Sequence, residues 1–179
     1  GLIDQLSNPI NHRFKKDKSD VILIGKTFGH LEQSCFLKEN YSIIDGKPPE
    51  VNLVNEKNNG ETVLKLIKQG LILSAHDVSS GGLILALSEM TFGSNFGIKI
   101  DRAKKLRNLN EYFFGEDQSR YVLEINQSEL NNVEKILKNN NVYYEKIGKT
   151  QEKYFEITGD FKIDINALYK INNEWYNNY

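Results

Sequence analysis

The sequence predicts an α+β domain in which helices pack on a mixed, largely antiparallel sheet. Three observations lead there. Strand and helix patterns alternate through the early part of the chain, and short strands cluster towards its end. One segment, Leu71 to Leu83, reads as strand, tight turn and helix start in immediate succession.

Gly1 to Phe14 reads as extended or irregular, with Asn8 and Pro9 as turn formers. Asp20-Val21-Ile22-Leu23-Ile24-Gly25 is a continuous apolar run closed by glycine, the pattern of a buried strand. Lys26 to His30 is a polar turn. Leu31 to Asn40 follows as a helix with Leu31, Cys35 and Phe36 on one apolar face. Gly46-Lys47-Pro48-Pro49 is turn chemistry, because the residue before each proline is pushed out of the helical region. Asn55 to Gln69 has Val63, Leu64, Leu66 and Ile67 at helical spacing and stops at Gly70.

Leu71-Ile72-Leu73 reads as a strand. Gly82 to Phe92 is a helix whose apolar residues cover most of its circumference, so it is expected to be well buried. Gly97 to Ile100 and Tyr121 to Ile125 read as strands, and Ser128 to Lys138 as an amphipathic helix with Ser128 as its N-cap. Val142–Ile147, Tyr154–Thr158 and Phe161–Ile165 form the late strand cluster, and Asn166 to Trp175 is a final short helix.

With 179 residues, no internal repeat and no dividing linker, residues 1–179 are expected to form one domain. A net charge of −1 lacks the basic excess of a nucleic-acid or membrane-surface binder. No apolar run is long enough for a membrane span, and the N-terminus has no secretory pattern. The single cysteine, Cys35, excludes an internal disulfide and a cysteine-cluster metal site, which fits a reducing, cytoplasmic setting. The chain starts at Gly1 without an initiator methionine, so a piece of a longer polypeptide is expected.

Two polar islands carry the candidate chemistry. The first is Ser74-Ala75-His76-Asp77-Val78-Ser79-Ser80-Gly81-Gly82-Leu83. A turn that leads from a strand into a helix aims unpaired N–H groups at one spot, and the helix dipole favours an anion there. Gly81 and Gly82 let backbone approach a ligand closely. His76, Asp77 and Ser79 could line such a pocket; equally, Asp77 or Ser79 could simply cap the helix. No standard phosphate-loop spacing and no nucleophile elbow is present.

The second island is Phe114-Gly115-Glu116-Asp117-Gln118-Ser119-Arg120. A surface turn could carry these residues, yet a turn does not require a carboxylate, an amide and a guanidinium crowded before a buried strand. Arg120 presents a fork for phosphate or carboxylate, and Gln118 offers donor and acceptor for a base or ribose. Glu116 and Asp117 are adjacent carboxylates of the type that hold Mg²⁺. Elsewhere, His30 reads as a turn residue, His12 as solvated surface and Cys35 as core rather than nucleophile.

Residues Ala75 to Leu83 resemble the His-Asp-Val-Ser-Asp-Gly-Gly-Leu signature of the phosphoribosylformylglycinamidine synthase family, in its large, synthetase subunit. Phe114 to Arg120 is similar to that family's Phe-Gly-Glu-Ser-Gln-Ser-Arg, Gly46 to Val51 to its Gly-x-Pro-Pro-x-Val/Leu connection, and Gly1 to Asp4 to its Gly-Leu-Ile-Glu-Asp. The four segments come in the family's order and at its spacing, over nearly the whole chain. Ser80 stands where the family usually has Asp, and Asp117 where it usually has Ser. The family's Gly-Gly-Ser/Ser-Glu-Tyr-Leu stretch is blurred here as Gly29 to Leu37.

The resemblance implies the C-terminal domain of the second half of such an enzyme, with the fold of the aminoimidazole ribonucleotide (AIR) synthetase C-terminal domain. It implies an ATP-dependent ligase of purine biosynthesis that takes ammonia from a glutaminase partner, with the catalytic residues in preceding domains. It also implies an auxiliary nucleotide site for ATP or ADP with Mg²⁺. That site would be bordered by His76, Asp77, Ser79, Gly81, Gly82, Gln118, Ser119 and Arg120, with Glu116 and Asp117 towards the metal. On this reading the isolated domain turns nothing over. The alternatives are a superfamily relative (AIR synthetase, selenophosphate synthetase or thiamine-phosphate kinase) and a non-catalytic binding and assembly domain.

Overall fold

The apolar run Asp20–Ile24 forms strand β1 at the heart of the sheet, where all five residues are buried. It has apolar side chains on both faces because both faces are covered. The computed structural model describes residues 9–101 and 108–177. The expectation for Gly1 to Asn8 therefore lies outside the described residues.

In chain order β1 is followed by α1 (Cys35–Tyr41), α2 (Leu53–Lys68), β2 (Ser74–Asp77), α3 (Gly82–Thr91) and β3 (Phe96–Ile100). Then come α4 (Leu109–Phe114), β4 (Tyr121–Ile125), α5 (Leu130–Asn139), β5 (Tyr144–Glu152), β6 (Tyr154–Ile157), β7 (Phe161–Asp164) and α6 (Ile165–Asn177). Among the described residues the seven strands form one sheet in the order β2-β4-β1-β5-β3-β6-β7. Every pairing is antiparallel except β3 with β6. The expected α+β class with a mixed, largely antiparallel sheet is what forms.

Two cores sandwich the sheet. Val21, Leu23 and Val122 point towards Leu83, Ala86, Leu87 and Met90 of α3 and Phe113 of α4. Ile22, Ile24, Leu123 and Ile125 point the other way, to Val63 and Leu66 of α2 and Val133 and Leu137 of α5. Burying these side chains, at roughly 1.5–3 kcal/mol each, is the main driving force for this arrangement.

Several boundaries differ from the sequence reading, each for a physical reason. Leu71–Leu73 is not the strand. The ladder opposite β4 begins at Ser74, which pairs with Glu124. The apolarity of Leu71 and Ile72 reflects packing in the α2/α5 core, with the Leu73 N–H donating to the Glu124 carbonyl at 2.9 Å. Helix α1 starts at Cys35, not Leu31, because Ser34 caps it by accepting from the Leu37 N–H. That start puts Cys35 on an exposed face instead of in the core. Helix α4 has no apolar period long enough to read from sequence; Asn108 starts it by accepting from the Asn110 and Glu111 N–H groups. The residue before α5 is Glu129, and Ser128 makes no cap.

Strand β5 runs on to Glu152 because it has partners on both sides, β1 and β3, and it slips register against β1 between Val21 and Ile22. Gly148 sits at the slip, where a Cβ would lie 2.1 Å from the Lys99 carbonyl oxygen.

Candidate functional site

The two polar islands are neighbours because β2 and β4 are. His76 pairs with Val122 and Asp77 with Tyr121, and the Val78 N–H donates to the Arg120 carbonyl at 2.9 Å. The chain leaves β2 and turns through Gly81 (φ +81°) and Gly82 (φ +71°) into α3. A Cβ on Gly82 would lie 2.7 Å from the Phe113 carbonyl oxygen and 2.8 Å from that of Gly115. The second glycine thus lets the first island press against the backbone of the second.

The side chains of the second island hold this junction from inside. Glu116 Oε1 accepts from the Gly81 N–H and from the Cys35 N–H, both at 2.8 Å. One carboxylate oxygen therefore sits at the starts of α3 and α1 together, where helix dipoles favour negative charge. Asp117 is buried. Its Oδ2 accepts from the Phe28 and Gly29 N–H groups at 3.0 and 2.9 Å, and its Oδ1 from the His30 N–H at 3.3 Å. The Glu116 N–H in turn donates to the His30 carbonyl at 2.9 Å.

Arg120 is 1% exposed. Its Nε donates to the Asp117 carbonyl at 3.1 Å, its Nη1 to Thr27 Oγ1 at 3.2 Å, and its Nη2 to the Gly115 carbonyl. Burial lowers the guanidinium pKa from its ordinary value, and the nearby Asp117 charge opposes that shift. Arg120 is thus a buried cation committed to the turn. Cys35 is held as a thiol, its pKa raised first by partial burial and then by the Glu116 carboxylate.

Beside the junction opens a cavity of about 940 Å³. Lys26, His30, Asn59, Gln118, Ser119 and Tyr143 are in its wall. The Lys26 ammonium lies 5.7 Å from the Tyr143 ring centroid. Gln118 is exposed, with one long hydrogen bond of 3.4 Å to the Glu116 carbonyl. Ser119 adopts φ +63°, and its Oγ is buried with no hydrogen-bond partner. Its carbonyl accepts from Asn59 Nδ2 at 2.9 Å, which ties the island to α2.

The expected residues divide between two places. Asp117, Gln118 and Ser119 reach the cavity, whereas His76, Asp77, Ser79, Gly81, Gly82, Glu116 and Arg120 are absent from its wall. Strand alternation explains His76. It faces the same side as Val122, towards α3, and there its Nε2 lies 3.0 Å from Glu89 Oε2 and its ring 5.3 Å from that of His12. The cavity lies by α2, with Asn52, Asn55 and Asn59 in its wall. Lys26, Asn59 and Tyr143 escaped the sequence reading. The available signal was the Gly25 to Gly29 turn after β1, a second strand-to-turn exit at the same end of the sheet.

The Mg²⁺ expectation can be weighed against the donor set. Both Asp117 oxygens and one Glu116 oxygen already accept from backbone N–H groups. Among the described residues no group of three or more His, Cys, Asp or Glu side chains is placed to hold a metal ion. Asp117 thus has both oxygens engaged and Glu116 one, and no third such side chain joins them, so the pair does not by itself make the expected Mg²⁺ site.

Residues 18–159 match the family model described as AIR synthase related protein, C-terminal domain. The chain is 44% identical over 179 residues to the phosphoribosylformylglycinamidine synthase subunit PurL of Pelagibacter ubique, covering all of this chain and 24% of that protein. It is 37% identical over the same span to the subunit of that name from Rhodopseudomonas palustris strain BisB18, again 24% of its length. The chain thus spans about a quarter of the curated relatives it matches. In fold it is similar to Thermotoga maritima PurL complexed with ATP, with a TM-score of 0.69, 14% identity, and coverage of 90% of this chain and 27% of that one. A thiamine-monophosphate kinase from Stenotrophomonas maltophilia shares the fold at a TM-score of 0.55 and 12% identity, over 85% of this chain and 54% of that one.

Proposed function

The chain belongs to the AIR synthase related protein family, whose C-terminal domain it carries, and on that premise we propose that it serves as one domain of an ATP-dependent amidoligase of purine biosynthesis. The reaction converts formylglycinamide ribonucleotide, glutamine and ATP to formylglycinamidine ribonucleotide. The amide oxygen takes a phosphoryl group from ATP, ammonia from glutamine adds to the carbon, and phosphate leaves with that oxygen. The observation that carries this reading is the 44% identity running the full length of the chain. Identity to the kinase of the same fold is 12%, so that likeness concerns the fold alone.

Residues 1–179 act as a single domain of the second half of the enzyme, docked on the preceding domains and served by a glutaminase partner. Among the described residues no helix is long and apolar enough to cross a membrane, and the near-neutral charge gives no nucleic-acid surface. The reading places the enzyme in the cytoplasm.

Within that enzyme the domain borders an auxiliary ATP or ADP site. Gln118 and Ser119 face the nucleotide from the cavity wall, with Lys26 and His30 beside them. His76, Asp77 and Ser79 flank the start of α3, and Gly81, Gly82 and Arg120 keep the two turns together. Any Mg²⁺ that accompanies the nucleotide needs ligands beyond Glu116 and Asp117, three of whose four oxygens already accept from backbone N–H groups. Lys26 is the only lysine or arginine among the described residues in the cavity wall, which also carries Glu32, Glu50, Glu111 and Asp117. A polyphosphate there needs cations supplied from outside this chain.

The test uses the full-length enzyme. Ammonia- or glutamine-dependent formation of ADP with formylglycinamide ribonucleotide is expected, and its absence overturns the reading. The 179-residue chain alone should hydrolyse no ATP; measurable turnover contradicts the assignment of a non-catalytic role.

A further inference from the structure

The misfit of Glu116 and Asp117 to a metal has a positive counterpart. Phe28, Gly29 and His30 are successive residues, and their three N–H groups converge on the one Asp117 carboxylate, at 3.0, 2.9 and 3.3 Å. Gly29 supplies the left-handed step, at φ +81°, that turns consecutive N–H groups to one side. Such a run of N–H groups forms an anion-binding concavity. Next to it lies the Arg120 guanidinium, 1% exposed, which donates to Thr27 Oγ1 and to the carbonyl of Asp117 itself. Three backbone donors make an oxyanion cradle, the Arg120 charge acts on it only through space, and the oxyanion in it is the chain's own.

We propose that the Thr27–His30 loop is a phosphate-class oxyanion site which this chain keeps filled with its own Asp117 carboxylate. Asp117 is then a positioning residue. It pre-forms the wall to which Gly29 and His30 contribute beside Gln118 and Ser119, with no external ion needed to order that loop. Glu116 does the equivalent one residue earlier, at the starts of α1 and α3. Shortening Asp117 to serine removes the charge, leaves the three N–H groups and Arg120 in place, and frees space for a small tetrahedral anion. The inference stands on this geometry and does not depend on the amidoligase reading.

Thermal unfolding of the 179-residue chain tests it, comparing the unaltered protein with Asp117→Ser and Asp117→Asn. Each is melted in chloride, in inorganic phosphate at matched ionic strength, and in chloride with added Mg²⁺. In chloride, Asp117→Ser is expected to melt about 5 °C lower, because buried donors lose a charged acceptor. Phosphate should restore most of that loss. Asp117→Asn, which keeps an acceptor oxygen but no charge, should melt between the two and respond less. The unaltered protein should respond no more to phosphate than to chloride, and not at all to Mg²⁺. An equal phosphate response in the unaltered protein and Asp117→Ser overturns the proposal. So does a Mg²⁺ stabilisation of the unaltered protein that Asp117→Ser lacks. Should Asp117→Ser fail to fold in chloride, recovery of folded protein in phosphate supports the site. Failure in both media, with no phosphate response from Asp117→Asn, counts against it.

Discussion

Glu116 Oε1 lies 2.8 Å from the backbone nitrogen of Gly81, although the two residues are 35 positions apart in the chain. This bond joins the polar turn before β4 to the start of α3. The same oxygen accepts from Cys35 at the start of α1, so three segments meet at one atom.

Truncation at that atom should therefore cost stability. Glu116→Ala leaves the Gly81 and Cys35 N–H groups without their charged acceptor, and a loss of about 2 kcal/mol is expected in urea unfolding. Glu116→Gln, which keeps an acceptor oxygen, should lose less. Equal losses for the two would show that the acceptor is not what matters.

Two glycines with left-handed backbone separate conformational strain from close approach. Gly70 has φ +67° and nothing within 4 Å of a built Cβ, whereas Gly82 has φ +71° and backbone oxygens at 2.7 and 2.8 Å. Gly70→Ala should cost about 1 kcal/mol, the strain alone. Gly82→Ala should cost about 3 kcal/mol or fail to fold, because overpacking adds to the strain. A comparable cost for the two would mean that the junction yields readily.

Glu124 is a fully buried carboxylate that accepts from the Lys15 and Lys16 N–H groups at 2.8 and 3.0 Å and from Ser74 Oγ at 2.9 Å. Burial raises its pKa above the ordinary value of 4.5, and these hydrogen bonds oppose the rise. The folded protein then holds this proton more tightly than the unfolded chain. Its contribution to stability is full below pH 4.5 and is lost as pH rises from there through the folded-state pKa. Measured against Glu124→Gln, the stability difference should fall over that window. A difference that is flat or rises with pH contradicts the shift.

Asp20 is fully buried on β1, with its Oδ1 2.6 Å from Lys146 Nζ and 3.4 Å from Lys149 Nζ. Lys146→Ala removes the nearer partner of a buried charge. The expected loss is about 1–2 kcal/mol, discounted from a fully buried pair because the lysine side chain is 43% exposed. Adding Lys149→Ala should cost more than its single effect. Strict additivity would deny that the two lysines share this carboxylate.

Gln118 separates function from stability. It is exposed and makes one weak hydrogen bond, so Gln118→Ala should change unfolding free energy by less than about 0.5 kcal/mol. In the full-length enzyme the same change should weaken ADP retention. Unchanged retention would remove Gln118 from the nucleotide border.

Much of this was legible locally. The run Val21 to Ile24 announced a strand covered on both faces, and the apolar circumference of Gly82 to Phe92 announced a buried helix. Gly81-Gly82 and Glu116 to Arg120 stood out as turns richer than turns require. The strand at Ser74 and helix α4 were not legible, because one depends on where β4 offers partners and the other on a cap with no apolar period behind it.

By itself the sequence determined the class of fold, the positions of the two polar turns and the family, because periodicity, glycine placement and short motifs are properties of neighbouring residues. Tertiary structure alone decided what the polar side chains do. Asp117 meets the amides of Phe28, Gly29 and His30 across more than 80 positions of chain, and Arg120 turns inward to Thr27. Whether a carboxylate meets a metal, a ligand or a backbone N–H depends on which distant segment folds against it, and pairing across a sheet settles that.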